Sequence, residues 1–227
     1  MIKKLQVAYH QRRALNSFGS SDFPAASYHF GKIYELAPQT RAIRHNLALS
    51  LMAQGDFLTA EGLLIAELED FGSYYPRLRA LADLYYTWGK PQEAATYYSQ
   101  CLQSKENERD EFQAQRYLAL RQQICTDSRA WEKSRQSLQA YDEGIKAEAR
   151  AKDSYLEALG LYTQAVELDP TNLGALNNWG ALVMNRENNY ALALELFDRA
   201  LALDKPGWIL VNRQRALAGV SAEGGQS

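Results

Sequence analysis

The chain has 227 residues and a formal net charge of −2 at neutral pH, with 46% hydrophobic and 23% charged residues. That composition fits a soluble globular protein, with no run of about 18 apolar residues to cross a membrane, and the charge lacks the basic excess of a general nucleic-acid binder. Two cysteines, Cys101 and Cys125, make neither a disulfide framework nor a metal site.

Apolar periodicity predicts helices throughout. The first covers residues 5–18 and the second 23–36, with Gly19-Ser20-Ser21-Asp22 as the turn, Pro24 in a first helical turn and Pro38 as the stop. Residues 41–54 and 57–69 make a second hairpin, and 76–88 with 91–103 a third; Gly55 and Gly89 stand where a helix C-terminus needs positive φ. The polar run 104–110 suits a loop or a frayed helix start. A helix over 110–124 follows through Phe112, Tyr117, Leu120 and Ile124, and the next starts near Asp127, an N-cap candidate. Between 128 and 151 the only clear turn signal is Gly144, which leaves a long polar helix or a distorted junction. Tyr155, Ala158, Tyr162, Ala165 and Pro170 then restore a helical pattern. One more copy runs through Leu176, Trp179-Gly180, Val183, Ala193, Phe197 and Ala200, with an extra residue in the Glu187-Asn188-Asn189 turn. Pro206-Gly207 ends it, Trp208–Val220 suits a closing helix, and Ala222–Ser227 a disordered tail.

Set against itself at an offset of 34 residues, the chain shows repeated columns. Ala14, Ala48 and Ala82 form one, Phe23, Phe57 and Pro91 another, and Ala26, Ala60 and Ala94 a third; Phe30, Leu64 and Tyr98 each follow the last by four positions. These residues resemble the tetratricopeptide repeat (TPR). Leu47-Ala48, Leu51, Gly55-Asp56-Phe57, Ala60 and Leu64 fill one copy of its pattern, and Leu78, Leu81-Ala82, Tyr85, Gly89, Ala94 and Tyr98 the next. The resemblance implies an all-α, right-handed superhelical solenoid of antiparallel helix hairpins, about six of them plus a C-terminal capping helix. It also suggests an N-terminal array over 1–108 and a C-terminal array over 109–227.

Chemistry-bearing residues do not assemble into a catalytic pattern along the sequence, and a binding protein is expected, not an enzyme, with no cofactor and no metal. His10, His29 and His45 have no second ligand at helical spacing, and no Gly-rich phosphate loop is present. The resemblance implies instead that first helices line a concave groove for a peptide or protein partner. It assigns to that groove Arg12, His45, Asn46, Arg79, Asp83 and Tyr86, then Gln113 and Tyr117, then Asn177, Asn178 and Met184. Asparagine both donates and accepts, arginine grips a carboxylate and tyrosine adds area with a polar tip. A clamp for a chaperone tail is not expected, since of Gln11, Leu15, Asn46, Pro76 and Ala80 at its positions only Asn46 agrees. Residues 1–55 carry seven Lys/Arg against Asp22 and Glu35, and residues 151–227 six against nine acidic residues, so an acidic partner for the first hairpin is one reading. The function expected is a scaffold or adaptor for complex assembly, with self-association into an oligomer as the alternative, and with neither nucleic-acid binding nor membrane insertion. The first residues lack a secretory pattern, so a cytoplasmic location is expected, or a periplasmic or lipid-anchored one if a signal segment has been removed.

Overall fold

The computed structural model describes residues 2–38, 42–104, 112–150 and 154–224, in which all regular structure is helical. The chain divides into two compact units, Met1–Asn107 and Glu108–Ser227. None of the described helices is long and apolar enough to cross a membrane.

The first unit contains α1 (Ile2–Gly19), α2 (Phe23–Leu36), α3 (Ile43–Met52), α4 (Phe57–Phe71), α5 (Tyr75–Trp88) and α6 (Pro91–Gln103). Consecutive helices pack on one another, and α3 also touches α5. The repeat is written into the backbone as well as the side chains. Ser21, Gly55 and Gly89, spaced 34 apart, turn the chain between paired helices with φ of 59°, 82° and 92°. Glycine takes that conformation without a Cβ clash, and Ser21 takes it in the terminal copy. Asp22 and Asp56 follow, each accepting a backbone N–H three residues on, from Ala25 and Thr59, at 3.2 Å. The third copy has Lys90 there and relies on Pro91 in the first turn. Ala14, Ala48, Ala82, Ala26, Ala60 and Ala94 are fully buried, which lets paired helix backbones approach, while Phe30, Leu64 and Tyr98 fill the space beside them.

The second unit contains α7 (Phe112–Thr126), α8 (Ser128–Arg150), α9 (Tyr155–Leu168), α10 (Leu173–Glu187), α11 (Tyr190–Leu201) and α12 (Gly207–Gly224). Asp127 caps α8 by accepting the N–H groups of Arg129 and Ala130 at 2.9 and 2.8 Å. Asn172 and Asn189 cap α10 and α11 in the same way, and Asn188 supplies the left-handed residue between them with φ 53°. The longest partnership is α8 with α9, followed by α10 with α11.

Two expectations change here. Gly144 lies inside α8, where it makes room for the Tyr162 ring and marks no turn. The chain from 222 is helical as far as Gly224, so the expected tail shrinks to 225–227, outside the described residues. Most of the polar run 104–110 also lies outside them. Gly144 and Gly180 then take the place of Ala14, Ala48 and Ala82. Ala158 and Ala193 continue the column of Ala26, Ala60 and Ala94, and Tyr162 and Phe197 that of Phe30, Leu64 and Tyr98, all fully buried.

Candidate functional site

In the first unit the expected groove residues sit on α1, α3 and α5, and most are held by their neighbours. Arg12 is exposed on α1. On α5, Arg79 Nε donates to Asp83 Oδ2 at 2.8 Å, and Tyr98 of α6 donates its hydroxyl to Asp83 Oδ1 at 2.7 Å. Tyr86 is closed off, 3% exposed, edge-on to Tyr98. Cys101 lies beside this cluster with its thiol pushed up to about 12, first by burial and then by the charge of Asp83, so it is an inert core residue.

His45 and Asn46 are half-buried on α3. His45 faces a carboxylate that the sequence reading missed, Glu67 of α4, which is 4% exposed. His45 Nδ1 and Arg77 Nε each lie 3.4 Å from a Glu67 oxygen, at ion-pair distance without hydrogen-bond alignment. Burial pushes the Glu67 carboxyl up, but His45 and Arg77 outweigh it and hold it below the ordinary value. Arg77 donates to the carbonyls of Phe71 and Gly72 and lies over the Phe71 and Tyr74 rings. Glu67 thus ties α3 and α4 to the start of α5, fixing one hairpin against the next.

In the second unit Tyr117 is 4% exposed and packs under Arg121, which donates Nε to its hydroxyl at 2.9 Å. The side chain of Gln113 lies outside the described residues, and Met184 is buried in the core. Asn177 and Asn178 belong to a directed chain of hydrogen bonds across four helices. Asn212 Nδ2 donates to Asn177 Oδ1 at 2.8 Å, and Asn177 Nδ2 to Asn178 Oδ1 at 3.1 Å. Asn178 Nδ2 then meets the Tyr162 hydroxyl at 3.4 Å, and that hydroxyl donates to Glu148 Oε2 at 3.0 Å. Asn212 and Glu148 were not foreseen, since each is an ordinary helix-surface residue until α12 and α8 bring it into line.

The recurrence of turn, cap and column in the first unit, and of the same columns in α8–α11, decides the architecture. Both units have a tetratricopeptide-like fold. No family profile matches the chain and no curated protein matches it. Among solved structures, the TPR domain of P58(IPK) aligns at 17% identity with a TM-score of 0.45, covering 98% of this chain and 67% of that one. YrrB, described as a TPR protein with an unusual peptide-binding site, aligns at 16% identity with a TM-score of 0.40, covering 89% and 88%. A TPR domain pair of yeast Sti1, solved as a complex, aligns at 15% identity with a TM-score of 0.42, covering 94% and 84%. In the repeat seen here, Arg12, His45, Asn46, Arg79 and Asp83 stay on first helices at least partly open to water. Tyr86, Tyr117 and Asn177 serve packing and internal bonding, which leaves Asn178 as the half-open member in the second unit.

Proposed function

We propose that the chain is a protein-interaction scaffold whose first unit holds a peptide segment of its partner against α3 and α5. The observation that carries this reading is that His45 and Arg79, 34 residues apart at equivalent places on these two adjoining first helices, are both polar and partly open to water, with Asn46 next to His45. Arg79 is fixed by Asp83, and His45 lies against Glu67, so little side-chain freedom is lost on binding. Asn46, next to His45 on α3 and half-buried, can both donate to and accept from a peptide backbone.

The test is a peptide-library selection on the intact chain, followed by affinities of a selected peptide for the wild type and for Asn46→Ala with Arg79→Ala. Losing two polar contacts worth about 1 kcal/mol each should weaken binding by about tenfold or more. Equal affinities, with both proteins folded, would move the partner off this face.

A second reading, self-association, is favoured by α12, where Trp208, Leu210, Val211 and Leu217 remain exposed. Sedimentation should then give a mass above 25.6 kDa that falls to the monomer value in Trp208→Glu, Val211→Glu. A monomer throughout would set this reading aside.

A further inference from the structure

The histidines that look scattered in sequence meet in the first hairpin. His10 Nδ1 of α1 lies 2.9 Å from His29 Nδ1 of α2, and both rings are half-buried. The pair has an aromatic and a cation on each side: the Arg13 guanidinium lies over Tyr9, and the Lys32 ammonium over Tyr28. Tyr9 and Tyr28 are themselves 54% and 58% exposed. Two turns back along α1, Lys3, Lys4 and Val7 line a shallow hollow with Ala37, the residue that follows α2. Helix α1 has four Lys/Arg and no Asp or Glu.

We propose that this seam between α1 and α2, centred on the His10–His29 pair, is a docking surface for an acidic peptide segment and that docking is coupled to proton uptake by the pair. The surface is distinct from the face of α3 and α5, and the inference does not rest on that reading.

The coupling follows from the hydrogen bond. In the neutral pair one ring donates its Nδ1–H to the other's Nδ1, which leaves the donor's Nε2 without a proton. A proton added there makes the pair cationic while the bond between the rings survives. Burial first, then His10 and Arg13, hold His29 below the ordinary histidine value of 6.5. The groups facing the pair are Tyr9 and Arg13 from α1, and Tyr28 with Lys32 from α2, Lys32 being paired to Glu35 at 2.8 Å. On α3, which packs on α2, Arg44 and His45 are engaged with Asp70 and Glu67. Among the described residues the charged neighbours of His29 are His10 and Arg13, and Glu35 is taken up by Lys32, so a docked carboxylate would balance an added proton. Docking therefore raises the pair's proton affinity, so by linkage binding is weak above the bound pair's titration and strengthens as pH falls through it.

The measurement is anisotropy of a fluorescein-labelled deca-glutamate peptide with the intact chain at pH 7.5 and 5.5, repeated with His10→Gln, His29→Gln and with Arg13→Gln. Circular dichroism at each pH establishes that every protein is folded, and the single His29→Asn variant replaces the double one if that does not fold. Uptake of one proton allows up to about tenfold tighter binding per pH unit, so the wild type should gain about fivefold or more. The histidine variant should stay nearly flat, and Arg13→Gln should bind more weakly at both values. An undiminished pH response in the histidine variant would overturn the proposal. So would binding to phosphatidylserine vesicles with none to the peptide, which would make the seam a membrane surface.

Discussion

Asp169→Ala is expected to destabilise the second unit by about 3–5 kcal/mol, because it leaves a buried guanidinium without its counter-charge. Asp169 and Arg121 have side chains only 4% and 8% exposed, with Arg121 Nη1 at 3.6 Å from Asp169 Oδ2. Around the carboxylate, Ser134 donates to Oδ2 at 2.9 Å, and Thr171 donates its N–H and hydroxyl to Oδ1 at 2.9 and 2.6 Å. Arg121 also donates Nη2 to the Thr171 carbonyl at 2.8 Å. One carboxylate therefore fastens α7 and α8 to the turn before α10. Urea unfolding of the intact chain measures the effect. Asp169→Asn, which keeps an acceptor but not the charge, should fall between the wild type and alanine. An unchanged midpoint for alanine would show that the cluster contributes nothing net.

The same residue sets a pH dependence. Burial raises the Asp169 carboxyl, but Arg121 and the bonds from Thr171 and Ser134 outweigh it and hold it below its ordinary value of 3.8. A carboxyl depressed in the folded state contributes stability above its unfolded value and loses it as pH falls toward the folded one. The gap between wild type and Asp169→Ala should thus be full at neutral pH and narrow below about pH 4.

How far the sequence could be read depended on whether a feature was local. Turns and caps are local, so Gly55, Gly89 and Asp127 placed their helices well, with α2 and α6 ending where the pattern says. In the second unit the copy on α10 and α11 was legible with one extra residue at its turn, but the one on α8 and α9 was not, because its spacing departs further from that of the first unit. Ala14, Ala48 and Ala82 each precede the next small column by 12 residues, whereas Gly144 precedes Ala158 by 14 and Gly180 precedes Ala193 by 13. A fixed offset slips across such insertions, and Gly144, out of register, looked like a turn. The polar networks were less legible still. Arg121 and Asp169 lie 48 positions apart and His10 and His29 lie 19 apart, and nothing in either local pattern points to the other partner. The groove positions implied by the repeat also could not separate Arg79, held open at the surface by Asp83, from Tyr86, which a neighbouring aromatic closes in.

Tyr162→Ala should cost a further about 3–5 kcal/mol, the range for removing a fully buried aromatic ring, and it tests the notch that Gly144 provides. The ring is 0% exposed, and a Cβ at Gly144 would stand 2.6 Å from its Cε1. Tyr162→Phe keeps the ring and loses only the hydroxyl that donates to Glu148 and meets Asn178, so it should cost about 1 kcal/mol. Gly144→Ala separates helix propensity from fit. In a helix interior alanine gains about 1 kcal/mol over glycine, but against a ring that is already packed it overfills the contact, at about 1–3 kcal/mol. The single variant should therefore be neutral to destabilising in the wild type. In the Tyr162→Ala background, where the methyl enters space the ring has left, the same change should be stabilising. That reversal of sign in thermal or urea unfolding would identify the close approach of α8 and α9 as the reason for glycine at 144. An equal effect in both backgrounds would mean that the glycine there serves something other than the tyrosine.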